Sequence, residues 1–469
     1  MLNDNYWELI NQYRTMGFDP LRWIPSCSNE IDPHIFWTAV QGIRKNSVKI
    51  SPSWFDAFYY MDGKTQELTR RVYSFENAIL DKEVEIKRAL ALFRIHTRYG
   101  DDANLLSEAL QNFLKNFRTK LSVAKSTVVL TEHMDAQFAL FDYIETHRGD
   151  KVGYTVATTS ATSVTDVTQS PDSEIHTNIA MTAAIENLNL LGCTGSSFKI
   201  FPIYDAPTEE MLDRIRVNLD SFASRYNFAM EDYSSLKLGK LFYGTTATAN
   251  SLKELPTKYD LVEEGMEILL TNKFGGLASL SLYMLTKMDP VNISKLEQNG
   301  ITVSDVTDAK DAALKSLSEP HFSLGKIIAK YCPDFGSTYD KQTHIAAVYP
   351  VLSLGLFALR YLAELTNSHL VINELPVKHE QIAKFATKEF LVENATSSTN
   401  GCHLVVASKE VTSLIVEDLR KHNFDPTRIG FVAKKGSPVV VIEKDPSQYV
   451  SSKVKLVALN TLSGQVNQQ

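Results

Sequence analysis

Hydrophobic positions recur at helical spacing through the first 120 residues. Leu105, Leu106, Ala109, Leu110, Phe113, Leu114 and Phe117 follow one stripe, and Ile86, Ala89, Leu90 and Phe93 follow another one element earlier. From Ser126 the texture changes. Residues 127–130 and 138–144 predict short strands, and 151–159 is a β-branched run of alternating polarity. A helix is expected over 179–191 and an apolar strand over 198–203. The next helix is expected over 208–226. Pro207 precedes it, and Glu209 and Glu210 sit in its first turn, where the helix dipole favours acids. Met211, Leu212, Ile215, Leu219 and Phe222 form its apolar face. Strands return at 238–245 and 266–271. The stretch 288–309 is polar and weakly patterned, which reads as a linker or an inserted loop.

In the last third, a helix around 323–330 leads to an apolar helix ending near Leu365 and to a strand over 369–372. A strand over 403–407 precedes a helix over 410–422, with Val411, Leu414, Ile415 and Leu419 on one side. Strands over 428–432 and 439–442 follow, around a turn at 434–436. Strand, helix, strand and strand with short links predict an α+β domain with a helix-covered sheet. These textures divide the chain into a helical region (1–122), a strand-rich domain (123–287), a linker (288–310), an α+β domain (311–455) and a polar tail (456–469).

Composition narrows the class without naming an activity. The 469 residues carry 48 Lys and Arg against 55 Asp and Glu, a net charge of −7, with 44% hydrophobic and 22% charged residues. Those proportions suit a globular protein and exclude disordered and collagen-like chains. No run of basic residues offers the footprint that a phosphate backbone requires, so no nucleic-acid partner is expected. Cys27, Cys193, Cys332 and Cys402 are too dispersed for metal or redox CxxC spacing. The longest uncharged stretch, between Lys341 and Arg360, contains Gln342, His344, Tyr349, Pro350, Ser353 and Gly355. It reads as a buried core segment rather than a membrane span. The opening MLNDNYWELI lacks the basic-then-apolar order of a secretory leader, so a cytoplasmic protein with reduced thiols is expected.

Several phrases, taken in order, resemble one superfamily. Residues 179–192 (IAMTAAIENLNLLG) are similar to a helix that in the family runs from small residues through Asn and Asp to Gly. Residues 264–275 (EGMEILLTNKFG) resemble a Gly-Asp turn opening an apolar strand that ends in Thr-Lys-Pro-Leu-Gly. Residues 309–332 resemble the helix pair that follows, and 345–371 the glycine-containing helix and strand that open the second half. Residues 401–442 are similar to the terminal strand–helix–strand–strand, with Gly430 at the usual glycine. On these phrases, the stretch from about 127 to 450 resembles the aminoimidazole ribonucleotide synthetase (PurM-like) superfamily. Selenophosphate synthetase is its nearest-looking member; thiamine monophosphate kinase and the hydrogenase-maturation carbamoyl dehydratase also belong to it. The resemblance implies a two-domain α+β core, here behind an extra helical region. One domain is antiparallel and pairs with its copy in a homodimer; the other is the C-terminal α+β domain. It also implies ATP in the groove between them, its phosphates held through Mg²⁺ by several aspartates.

The resemblance lets those aspartates be checked one by one, and most are replaced. The family strand ending in Thr-x-Asp corresponds to 156–161 (VATTSA), with Ser160 and Ala161 where the carboxylate belongs; the nearest acid is Asp166. In the helix, the Asn and Asp positions fall on Ala183 and Asn187, and the Asn187 amide cannot neutralise a cation. The family's Gly-Gly-Glu/His-Thr turn corresponds to 229–235, which keeps Glu231 and Asp232 without the glycines. The second-domain Asp-x-Thr-Gly-x-Gly phrase becomes 350–355 (PVLSLG), with only Gly355 kept. Cys27, in PSCSNE, does not match the family's glycine-rich leader.

Other motifs carry two readings each. The string 99–103 (YGDDA) matches the family's Gly-Asp-Asp-Ala phrase, yet it leads into a helical pattern, so Asp101 or Asp102 is an N-cap or a metal ligand. Trp7, Trp23, Trp37 and Trp54 belong to a small helical core or to a partner-docking face. The hydroxyl-rich stretch 155–168, with Thr158 and Thr159, is exposed strand threonine or an anion cradle. Gly275 and Gly276 have no Walker spacing, and His344 reads as a satisfied residue on an apolar helix face. Two functions stand for the whole chain. One is a dimeric scaffold or altered ligand-binding protein that has lost Mg–ATP, with a protein partner on the helical region. The other is an ATP- and Mg-dependent phosphotransferase acting on a small acceptor through the relocated acids Asp166, Glu231 and Asp232.

Overall fold

The computed structural model describes residues 8–9, 11–12, 15, 50–51, 130–131, 143–147, 153–162, 166, 168–194, 198–232, 234, 239, 241–288, 290–389, 392, 394–450 and 461–462. Trp7, Trp23, Trp37, Trp54, Cys27 and the string 99–103 lie outside the described residues.

Strands β1 (Ile50–Ser51) and β2 (Leu130–Thr131) pair in parallel. A five-stranded sheet follows, built from β3 (Tyr143–His147), β4 (Gly153–Thr162), β5 (Lys199–Asp205), β6 (Ala229–Met230) and β7 (Phe242–Ser251) in the order β3-β4-β7-β5-β6. The hydroxyl-rich run is the long strand β4, antiparallel to β7 from Tyr154↔Ser251 to Thr162↔Tyr243. Branched threonines suit such a pleated ladder. Helices α1 (Glu174–Leu190) and α2 (Glu209–Tyr226) pack on this sheet.

The two helices show two ways in which sequence makes a helix. For α2 the expected signals hold: Thr208 Oγ1 accepts the Met211 N–H at 3.3 Å, and the helix ends on Asn227 with φ 55°. By contrast, α1 is buried without interruption from His176 to Leu190 and has no solvent face. It starts five residues before the expected Ile179, because its polar first turn of His176, Thr177 and Asn178 is buried too.

The second sheet contains β8 (Glu267–Leu270), β9 (Ala347–Pro350), β10 (Ser368–Ile372), β11 (His403–Ala407), β12 (Thr427–Lys435), β13 (Val439–Ile442) and β14 (Thr461–Leu462), in the order β14-β13-β10-β12-β8-β11-β9. Strand β8 is an interior strand, antiparallel to β11 and β12 on its two sides. Although β12 and β13 are consecutive, they do not pair: β10 lies between them, antiparallel to β12 and parallel to β13. The polar tail contributes β14, which pairs with β13.

Around this sheet lie α3 (Ala278–Met288), α4 (Pro290–Gln298), α5 (Val303–Ser318), α6 (Phe322–Lys330), α7 (Ala358–Thr366), α8 (Glu380–Lys388) and α9 (Lys409–Lys421). The stretch 288–309, read as a linker or loop, is helical instead: α4 and the first half of α5 occupy it. Thr302 and Asp305 cap α5 reciprocally, and Val306, Ala309, Ala313, Leu314 and Leu317 form its buried stripe. Val306 and Ala309 alone, among polar neighbours, left that stripe unreadable within the window.

Helix α1 contacts β4 and β7 on one side and α5, α6 and β9 on the other. Its Ile185 and Leu188 belong to a core shared with Leu324, Ile328 and Tyr349, so one apolar interior spans both sheets. Cys193, Cys332 and Cys402 are buried free thiols. Among the described residues, no helix is long and apolar enough to cross a membrane.

Candidate functional site

Both halves converge on α1, and the polar groups gathered there define the site. Glu186 is 0% exposed in the second half of the helix. Its Oε1 accepts the His321 backbone N–H at 2.6 Å and the Asn189 Nδ2–H at 3.3 Å. His321 Nδ1 lies 3.2 Å from the same oxygen, and His403 Nε2 lies 3.9 Å from Oε2. Because His321 immediately precedes α6 and His403 opens β11, the carboxylate joins α1 to two elements of the second half. Burial pushes the Glu186 pKa up, but the charge of His321 and the contacts of both imidazoles outweigh it and bring it to about 2. Burial alone lowers the His321 pKa; the Glu186 carboxylate overrides this and raises it. For His403 burial prevails and the pKa is lowered, so that ring is held neutral.

The other end of α1 holds Asp166, 2% exposed. Its Oδ1 accepts the Thr168 N–H at 2.9 Å and hydroxyl at 2.6 Å, while its backbone carbonyl meets His176 Nε2 at 2.9 Å. His176 Nδ1 faces Pro171 O at 3.2 Å and Ser173 Oγ at 3.4 Å. Burial lowers its pKa, with the Asp166 charge opposing.

The sequence-derived candidates are dispersed. Asp232 lies at the far end of β5, where Oδ2 accepts the Tyr204 hydroxyl at 2.5 Å and Oδ1 the Ser234 N–H at 2.8 Å. The Glu231 N–H bonds Ile200 O at 3.0 Å, continuing the β5–β6 pairing. Thr158 and Thr159 sit in the β4–β7 register opposite Ala247 and Thr246. Asn187 is 1% exposed, and neither atom of its amide has a hydrogen-bond partner. Among the described residues, no group of three His, Cys, Asp or Glu is placed to hold a metal. His344 is in the 340–344 turn rather than on a helix, its Nδ1 accepting the Asp340 N–H at 3.0 Å.

Ala183 packs directly against Leu352, so the helix position and the 350–355 segment that the resemblance would arm with polar groups meet through an apolar contact. The retained Gly355 has a packing reason: at φ 57°, a Cβ there would fall 2.3 Å from Thr396 Oγ1. That hydroxyl accepts the Leu356 N–H at 3.0 Å and anchors the segment.

Sequence reasoning missed Glu186, His321 and His403. Only Glu186 carried a signal, as the lone charge in the apolar string 179–192; the histidines reach it from more than a hundred residues away.

No family model matches the chain, and no curated protein matches its sequence. Solved structures that superpose on it include thiamine-monophosphate kinase from Stenotrophomonas maltophilia, 14% identical with a TM-score of 0.43, covering 64% of this chain and 91% of that one. The hydrogenase maturation protein HypE in complex with ATP is 15% identical with a TM-score of 0.45, covering 63% and 83%. Thiamine monophosphate kinase from Aquifex aeolicus is 13% identical with a TM-score of 0.42, covering 70% and 96%. These neighbours belong to the PurM-like superfamily that the sequence phrases resemble.

Proposed function

We propose that this chain is a ligand-binding scaffold protein of the fold its sequence resembles, and that it does not perform magnesium-dependent ATP chemistry beside α1. The observation that carries this reading is the contact of Ala183 with Leu352. A triphosphate with its cations needs hard, charged oxygen ligands. An apolar seal with a buried neutral amide one turn away, at Asn187, supplies none. Of the relocated acids, Asp232 is engaged by Tyr204 and Ser234, and Asp166 by Thr168 through Oδ1 alone, its buried Oδ2 having no hydrogen-bond partner. Pairing with a second copy, and docking of a protein partner through the tryptophan-bearing region 1–122, belong to this proposal.

Calorimetric titration of the full chain with ATP in magnesium buffer tests it. The expected result is no heat beyond dilution up to millimolar nucleotide. Micromolar binding that disappears in Asp166→Ala or Glu231→Ala would instead establish the phosphotransferase reading. Light scattering on the same sample is expected to give twice the chain mass; a monomer mass removes the pairing.

A further inference from the structure

We propose that Lys378, Thr399 and the Gly275–Gly276 turn form a binding site for a phosphate-type oxyanion. The proposal names a ligand class for the ligand-binding reading and rests on it. Lys378 lies between β10 and α8, its backbone N–H bonded to Phe274 O at 2.7 Å. Its side chain is partly buried and runs along the glycine turn: a Cβ on Gly276 would meet Lys378 Cδ at 3.8 Å and Thr399 Cγ2 at 3.3 Å. With φ of +85° and +110°, Gly275 and Gly276 adopt backbone conformations that side-chain-bearing residues avoid. The turn thus brings backbone close to the lysine, its Gly275 N–H held by Thr396 O at 3.0 Å and Ser398 Oγ at 2.9 Å.

The ammonium group has no ion-pair partner of its own: the Asp425 carboxylate, whose charge acts on it, is paired with Lys273. The hydrogen-bond partner of Lys378 is Thr399 Oγ1 at 3.4 Å, and among the described residues no carboxylate is within ion-pair distance. Neighbouring Lys273 makes the contrast, being neutralised by Asp425 at 2.8 Å. The charge of Lys378 acts on His321 and opposes the rise in its pKa, and His321 is itself engaged with Glu186. Burial lowers the Lys378 pKa, consistent with a cation that has given up water without gaining an anion. A cation in that position is stabilised by a bound anion, and a lysine ammonium is a point-charge partner for phosphate oxygens. Thr399, 1% exposed, accepts from the lysine and keeps its own O–H to donate to the same anion.

The test uses the full chain in phosphate-free buffer with EDTA, titrated with inorganic phosphate and followed by calorimetry and thermal unfolding. Phosphate is expected to bind in the millimolar range and to raise the Tm, with sodium acetate at equal concentration at least threefold less effective. Lys378→Met is expected to weaken binding at least tenfold, and Lys378→Arg to retain it within threefold. Without phosphate, Lys378→Met is expected to melt above the wild type, since an unpaired cation has been replaced by an apolar chain of similar length. The proposal is overturned by absence of binding, by binding that survives Lys378→Met, by acetate matching phosphate, or by a Lys378→Met protein that melts lower without anion. Nucleotide binding that EDTA abolishes would count against the scaffold reading, not against this metal-free site.

Discussion

One imidazole lies in the first turn of helix α1 and another against Glu186 in its second half, and their surroundings shift their pKa values in opposite directions. At the helix start, His176 faces backbone carbonyls at 2.9 and 3.2 Å, and burial outweighs these contacts and the charges of Asp166 and Asp172, lowering its pKa. Beyond the other end, His321 faces the carboxylate of Glu186 at 3.2 Å, and the charge of its partner overrides burial. Burial acts in the same direction at both rings. What differs is how directly a carboxylate meets the ring: Glu186 lies 3.2 Å from His321, whereas Asp166 and Asp172 act on His176 without an ion pair to it, and there burial prevails.

The largest test of this contrast is Glu186→Gln. Removing one partner of a buried pair is expected to cost about 3 kcal/mol of stability in urea denaturation at pH 6. A change below about 1 kcal/mol would show that Glu186 does not hold the halves together. At the opposite end, Thr168→Val removes one hydrogen bond to Asp166, and a loss of only about 1 kcal/mol is expected in the same assay. Equal losses at the two ends would erase the comparison.

The subtlest test is a proton NMR titration of the ring C–H signals. His321 is expected to titrate above 6.5 and His176 below it. In Glu186→Gln, His321 should fall below 6.5 while His176 does not move. The signs follow by linkage. The raised His321 contributes stability below pH 6.5 that is lost as pH rises through its folded pKa. The lowered His176 and His403 contribute stability above pH 6.5 that is lost as pH falls through theirs. Glu186 contributes stability above its ordinary 4.5 that is lost as pH falls toward about 2.

How much of this was legible depended on how local the signal was. Strands β11 and β13 lie where their apolar runs placed them, and α2 announced itself through Thr208 and the acids of its first turn. The first half of helix α5 was hidden because only Val306 and Ala309 of its stripe fall in the polar window in which a linker was read, whereas its second half lies in the helix pair that 309–332 resembles. The separation of β12 from β13 was invisible because adjacency along a chain does not encode which strand inserts between them. The candidate site was the least legible part. The positions of Ala183 and Asn187 could be judged through the resemblance, but the Glu186 cluster and the unpaired Lys378 arise from contacts across the fold.

The placement of β8 also constrains how the chain is made. Its partners β11 and β12 are encoded far downstream, and the Thr271–His403 hydrogen bond beside them spans 132 positions. At a translation rate of about 5–20 residues per second, an emerging Ile268-Leu269-Leu270 segment waits roughly 7–26 s with both ladders open. Nascent chains halted before Cys402 therefore present a sticky, unpaired edge to the cell's chaperones, and synthesis beyond Lys435 supplies the strands that close it.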